Sequence, residues 1–304
     1  MGLAAGSWRN QSLRDYVYER PETIEEAVAL LRGGDGRVLA GGTDLIPQLR
    51  EGRRLAGRVI DVKRIGALAN ISTLPEGGVV IGAAASAAAV ARNSDIARDY
   101  PAVARSARLI GGVQIQNRAS LGGNICNAAP SADGVPALLC HAAEAHIAGP
   151  AGARQMRLEE LFAGPGSTSI DQGELLVSIL LPPPQPRSAV TYLRFTPRRE
   201  MDIAIAGAGT FVRLDKRGTI AETRVVLASV APIPLRAPLA ERGLAGERPT
   251  RALLEDAGRR AASEARPISD TRGSADYRRS LVAVLTTRAL GDCCRQLGIE
   301  IQTP

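Results

Sequence analysis

The chain has 304 residues, 45% of them hydrophobic and 23% charged, enough for two domains or one large domain with subdomains around a sizeable core, so disulfide miniproteins and wholesale disorder are excluded. The formal charge of +7 is almost entirely arginine, Lys63 and Lys216 being the only lysines, and many arginines alternate with acids, as in Arg259, Arg260, Glu264 and Arg266, which is the pattern of a solvated surface. Aromatic residues at 3% leave few platforms for stacking bases, so no nucleic-acid partner is expected.

In chain order, residues 1–15 are polar and irregular and read as an N-terminal extension. Thr23, followed three residues later by Glu26, is a capping box and predicts a helix to about Arg32 with Ile24, Ala27, Val28 and Leu31 on its apolar face, stopped by Gly33-Gly34. A short strand from Arg37 to Ala40 runs into Gly41-Gly42-Thr43-Asp44, and a helix from Leu45 to Arg50 follows. Val59 to Val62 and Val79 to Ile81 read as buried strands, and Ser94 to Ile110 as a helix broken near Pro101. The stretch from Gly111 to Ile125 is the densest in glycine and amide side chains. Beyond residue 140 come strands over Ala145 to Ala148, Leu175 to Leu181, Val190 to Phe195, Ile203 to Leu214 and Ile220 to Val230, then long helices over Thr250 to Ala265 and Tyr277 to Leu297. Pro182-Pro-Pro-Gln-Pro186 is the clearest linker. With a softer boundary near residue 65, the expected organisation is 1–15, 16–65, 66–186 and 187–304.

Several chemistries are closed by residue types. Neither lysine follows a glycine, so no phosphate-binding P-loop is present. Gly207-Ala-Gly209 and Gly164-Pro-Gly166 lack the third glycine of the dinucleotide fingerprint, and no Gly-x-Ser-x-Gly elbow occurs. Cys126, Cys140, Cys293 and Cys294 show no Cys-x-x-Cys spacing, and His141 and His146 are the only histidines, so no metal or iron–sulfur cluster is expected on this chain. The thiols read as small buried groups in a reducing compartment. No apolar run approaches the ~18–20 residues of a membrane span and residues 1–14 hold no hydrophobic signal core, which makes the cytoplasm the default location.

Two glycine turns about eighty residues apart remain, Gly41-Gly42-Thr43 and Gly122-Gly123-Asn124. Glycine pairs let backbone amides approach an anion, and Thr43, Ser120 and Asn124 add hydroxyl and amide donors, so the two loops could clamp a pyrophosphate; each could equally be a plain tight turn. Asp133 has two readings as well, an acceptor for a ribose hydroxyl or the cap of a following helix.

The strings Val38-Leu-Ala-Gly-Gly-Thr-Asp-Leu45 and Asn117-Arg-Ala-Ser-Leu-Gly-Gly-Asn-Ile-Cys-Asn-Ala-Ala-Pro-Ser-Ala-Asp133 resemble the FAD-binding medium subunit of the molybdenum hydroxylases, the family of xanthine dehydrogenase and carbon monoxide dehydrogenase. The likeness continues through Gly164-Pro-Gly166, Glu174 to Ile179, Arg198 to Ala204 and Asp270 to Arg279, and covers roughly residues 16–297. It implies an α+β chain: a two-subdomain FAD-binding fold of the vanillyl-alcohol oxidase (PCMH) type, followed by a C-terminal α+β domain with a small antiparallel sheet. By the same resemblance Leu39, Ala40, Gly41, Gly42, Thr43, Asp44 and Leu45 wrap one side of the FAD pyrophosphate, and Ser120, Leu121, Gly122, Gly123 and Asn124 the other. Ile110 lies against the flavin or its chain, Asp133 holds a polar part of FAD and Leu176 covers it. Arg194 stands where relatives carry lysine and is expected to stabilise charge on the reduced flavin, although its planar fork differs from a lysine's point charge. Tyr192 is either a flavin-stacking or a core residue.

The resemblance also implies partners. Substrate chemistry belongs to a large molybdopterin-binding subunit, and electrons reach FAD through two two-iron two-sulfur clusters on a small subunit, in a heterohexamer of two copies of each chain. This chain would be the electron outlet, an oxidoreductase subunit without catalytic or metal residues of its own. The inserted cysteine loop of the hydroxybenzoyl-CoA reductases is missing, which disfavours that subclass. Two other readings are a flavin-free scaffold subunit of the same complex and a stand-alone flavin oxidase; the first has no need of donors around its glycines, and the second needs acid–base groups that two distant histidines do not supply.

Overall fold

The computed structural model describes residues 15–199 and 201–301. Of the expected extension over residues 1–15, all but Asp15 lies outside them.

The first unit comprises β1 (Val17–Glu19), α1 (Ile24–Leu31), β2 (Gly36–Leu39), α2 (Leu45–Arg50) and β3 (Arg58–Asp61). Its strands form a parallel sheet in the order β1-β3-β2, with Tyr18 opposite Val59 and Val38 opposite Ile60. The capping signal works as expected at one end, the Glu26 N–H donating to Thr23 Oγ1 at 3.1 Å. The returning bond falls one residue early, from the Glu22 N–H to Glu26 Oε2 at 2.8 Å. Helix α1 then buries Ala27, Val28 and Leu31 against Ile60 and Val62, the amphipathic stripe seen in the sequence.

The second unit runs through α3 (Gly66–Ala69), β4 (Ile71–Thr73), β5 (Val79–Gly82), α4 (Ala87–Arg92), α5 (Ser94–Asp99), α6 (Pro101–Arg108), α7 (Val113–Gln116), α8 (Leu121–Cys126), α9 (Gly134–Cys140), β6 (Glu144–Gly149), β7 (Gly152–Arg157), β8 (Phe162–Gly164), β9 (Ser167–Thr168) and β10 (Leu175–Leu181). Five strands form an antiparallel sheet, β4-β5-β10-β6-β7, while β8 and β9 pair as a separate hairpin. The predicted helix from Ser94 divides at Tyr100 because Pro101 occupies the first turn of α6, where its missing N–H costs nothing.

The third unit holds β11 (Ser188–Phe195), β12 (Ala206–Leu214), β13 (Ile220–Ala228), β14 (Leu235–Arg236), α10 (Pro238–Leu244), α11 (Arg251–Glu264) and α12 (Ala275–Gln296), with the four strands antiparallel in chain order. This sheet is buried on both faces. Ala189, Ala208, Val212, Val225 and Leu227 pack under α11 and α12, whereas Val190, Tyr192, Phe211 and Val226 join the core of the second unit. Every residue of α9 is buried between the two. Gly209 on β12 permits that approach, since a Cβ there would lie 3.0 Å from Cys140 Sγ and 3.2 Å from Pro136 Cβ. The chain is thus a mixed α and β molecule as expected, although its first sheet, read alone, is a parallel α/β layer.

Candidate functional site

A cleft with a cavity volume of ≈ 580 Å³ separates the first unit from the second, within the roughly 300–1,000 Å³ common for cofactor and ligand sites. One wall is the segment between β2 and α2, Ala40 through Leu45. The other is Ala119 through Asn127 around α8, with Ile110, Asp133 and Leu176 also lining the space.

The glycines of these walls have different physical reasons. Gly41 faces the carbonyl of Arg118 so closely that any Cβ would overlap it and the Ala119 backbone, so the two walls touch backbone to backbone. Gly42 has φ +77°, a left-handed conformation that glycine adopts without strain. Gly122 and Gly123 correct the sequence reading. They are not a turn but the first turn of α8, after Ser120 at its N-cap, whose Oγ accepts from the Gly123 N–H at 3.0 Å. A Cβ on Gly122 would run into the backbone of Ala83. A Cβ on Gly123 would meet only Ser120 Oγ, at 3.1 Å, and this position opens on the cleft.

Side chains tie the walls together. Gln48 on α2 donates through Nε2 to Asn127 Oδ1 at 2.9 Å, and Asn124 Oδ1 accepts from the Gly134 N–H at 3.2 Å, fixing α8 to α9. Asp44 stands at the N-cap of α2 without a side-chain cap bond; burial pushes its carboxyl up, against the pull of Arg53 and Arg54. Glu174 is gripped by Arg154 through Nε and Nη2, both at 2.7 Å, which holds its carboxyl below the usual range.

The capping reading of Asp133 does not hold. The residue occupies the N-cap position of α9, yet its side chain caps nothing. Its carboxylate instead receives the Tyr192 hydroxyl at 2.8 Å and the Arg194 guanidinium. Burial, the largest influence, pushes this carboxyl up to about 6 even though Arg194 and the Tyr192 bond pull it down.

Three expected residues do not line the cleft. The Leu39 side chain lies behind Gly42, Leu121 is buried at 1% exposure, and Arg194 sits behind Asp133. Tyr192, 2% exposed, is a core residue and does not stack on the cleft. Sequence reasoning missed Gln48, Arg54, Ala83, Ile115, Ile170 and Met201 to Ile203 as lining groups. The spacing of Gln48, four residues after Asp44, would have found it. Arg54, which reaches the Gly166 carbonyl at 3.4 Å, carries no local signal.

Among the described residues, no group of three His, Cys, Asp or Glu could hold a metal ion, and no helix is long and apolar enough to cross a membrane. Burial raises the thiols of Cys126 and Cys293 to about 12 and of Cys294 to about 11, so all three are thiols rather than reactive thiolates near neutrality.

Residues 11–184 match the FAD binding domain in molybdopterin dehydrogenase, and residues 191–293 match the CO dehydrogenase flavoprotein C-terminal domain. The chain belongs to the FAD-binding medium subunits of the molybdenum hydroxylases. It is 31% identical over 288 residues to the xanthine dehydrogenase FAD-binding subunit of Escherichia coli O157:H7, covering 94% of this chain and 98% of that one. It is 34% identical over 279 residues to the carbon monoxide dehydrogenase medium chain of Afipia carboxidovorans, covering 90% and 95%. Among solved structures, carbon monoxide dehydrogenase from Hydrogenophaga pseudoflava superposes with a TM-score of 0.89 at 30% identity, covering 94% of this chain and 99% of that chain. Members of this family are oxidoreductase subunits. The residues present fit a dinucleotide: Gly123 lines the cleft without a side chain, with Thr43, Ser120 and Asn124 as polar neighbours and Ile110 and Leu176 as apolar ones.

Proposed function

We propose that this medium subunit binds FAD in the cleft and serves as the electron outlet of a molybdenum hydroxylase complex. The observation that carries the reading is the pair of walls in backbone contact at Gly41, with Gly123 open to the cleft. Ala40 to Leu45 would hold one side of the pyrophosphate and Ser120 to Asn124 the other, Leu39 and Leu121 contributing backbone only. Ile110 and Leu176 would supply apolar contact, and Asp133 a polar one. The proposed units are residues 16–65 and 66–186 for FAD, with 187–304 covering α9. FAD, when bound, supplies a carrier that takes electrons from iron–sulfur clusters of a small partner and releases them to an external acceptor. The protein's part is to orient the cofactor and set the electrostatics around it. A large molybdopterin-binding partner would hold the substrate site, in a cytoplasmic heterohexamer of two copies of each chain. The polar cleft wall argues against a flavin-free scaffold.

The test is rapid mixing of the purified complex with its reducing substrate under anaerobic conditions. Bleaching of the cluster bands before the flavin band near 450 nm is expected. Flavin that stays oxidised while the clusters are reduced would overturn the electron-outlet reading.

A further inference from the structure

Asp133 lies on the cleft wall, and both of its oxygens face β11: the Tyr192 hydroxyl donates to Oδ1 at 2.8 Å and Arg194 Nη1 to Oδ2. The three side chains are nearly sealed, Arg194 and Asp133 at 7% and 9% exposure. Gly207 on β12 makes room for this arrangement, because a Cβ there would press on the Tyr192 hydroxyl. Arg194 itself is not part of the cleft lining, while Asp133 is. A carboxylate oxygen that accepts one bond keeps a second lone pair, so Asp133 can still accept a donor from the cleft.

We infer that Arg194 is a positioning residue that acts through Asp133: together with Tyr192 it holds the carboxylate ionised and aimed, so that Asp133 accepts from a hydroxyl or ring N–H of the bound flavin dinucleotide. This rests on the FAD reading above and replaces the expectation that Arg194 meets the reduced flavin directly. The charged or titratable groups facing Asp133 are Arg194 and Tyr192, both from β11; from α8 the nearby Asn124 is neutral, its Oδ1 already engaged by the Gly134 N–H. Burial opposes ionisation here and Arg194 counters it. A protonated Asp133 would turn one oxygen from acceptor to donor, so flavin retention weakens as pH falls through about 6. Removal of the guanidinium takes away the counterweight and moves that weakening to higher pH.

The experiment follows the fluorescence of released FAD from the flavin-loaded protein, with any partner chains that copurify, between pH 8 and pH 5. Wild type should release FAD below about pH 6. Arg194→Met should release it from a midpoint about one pH unit higher or more, with Arg194→Lys returning toward wild type. Asp133→Asn should bind about tenfold more weakly or worse, the size of a charge-assisted hydrogen bond, without a pH step in this window. A wild-type profile in Arg194→Met, or a retained step in Asp133→Asn, overturns the inference. If Arg194→Met does not fold, Asp133→Asn and Tyr192→Phe decide it, the latter expected to shift the midpoint upward by less. Protein that holds no FAD at any pH would contradict the FAD reading itself, a different failure from FAD bound with no pH step.

Discussion

At the residue scale, adjacent glycines on α8 carry separate tasks. Gly122 exists because the Ala83 backbone occupies the place of a side chain, whereas Gly123 has only Ser120 Oγ near its missing Cβ. Gly122→Val should therefore destabilise the fold by at least about 2 kcal/mol, an overpacking cost against backbone that cannot move aside. Gly123→Val should stay within about 1 kcal/mol of the parent, because valine is no worse than glycine in a helix. Thermal unfolding of the two variants checks the contrast; equal losses would mean that both glycines serve packing. This difference was not legible in the sequence, which shows two glycines and not what each one faces. Asp133 was legible as a polar residue of the site, but its partners on β11 are about sixty residues away and no local pattern announces them.

At the scale of elements, α12 is fastened by one buried cation. Arg278 donates to the Ile205 carbonyl at 2.7 Å, the Ser229 carbonyl at 3.2 Å and Asp270 Oδ1 at 2.7 Å. These bonds pin the helix to the approach to β12 and the exit of β13. Arg278→Met leaves the Ile205 and Ser229 carbonyls without this donor, while Asp270 Oδ1 keeps the Arg272 N–H, and should cost about 2–5 kcal/mol. Calorimetry would show a melting point lower by many degrees, and a shift of only one or two degrees would mean water replaces the guanidinium. The long elements α11 and α12 and strands β10 to β13 were all visible as periodic or apolar runs. The shortest elements were not. Helices α3 and α7 span four residues each, too few for a period to show. Helix α8 was hidden because two glycines depress helix propensity, although Ser120 was a visible cap; packing against Ala83 overrides the propensity.

For the whole molecule, α9 is the joint between the FAD-binding units and the C-terminal sheet, and His141 at its C-terminal end is locked in that joint. Its ring packs edge-on to Tyr100 at 5.1 Å. Burial, aided by Arg224, depresses it to about 4 from an ordinary 6.5. The native state thus binds fewer protons than the unfolded chain between those values, so stability is full above about pH 6.5 and falls as pH drops toward 4. The loss due to this residue approaches about 3 kcal/mol, each pH unit between the two values contributing about 1.4 kcal/mol. Asp133 acts in the opposite sense, since a raised carboxyl favours the fold below its unfolded value near 3.9 and loses that contribution as pH rises through about 6. His141→Phe should therefore flatten the acid side of the stability profile, measured as melting temperature between pH 7 and pH 4. An unchanged acid slope would show that His141 gains a proton without leaving its site.

The central claim is that the cleft between the two glycine-bearing walls holds FAD, and flavin content tests it most directly. Wild type and Gly123→Val, each purified with whatever partner chains accompany it, are compared by visible absorption, with the released flavin identified by mass. The account predicts FAD near one per chain in wild type and little or none in a Gly123→Val protein that unfolds like the parent. Full FAD content in that folded variant would contradict it.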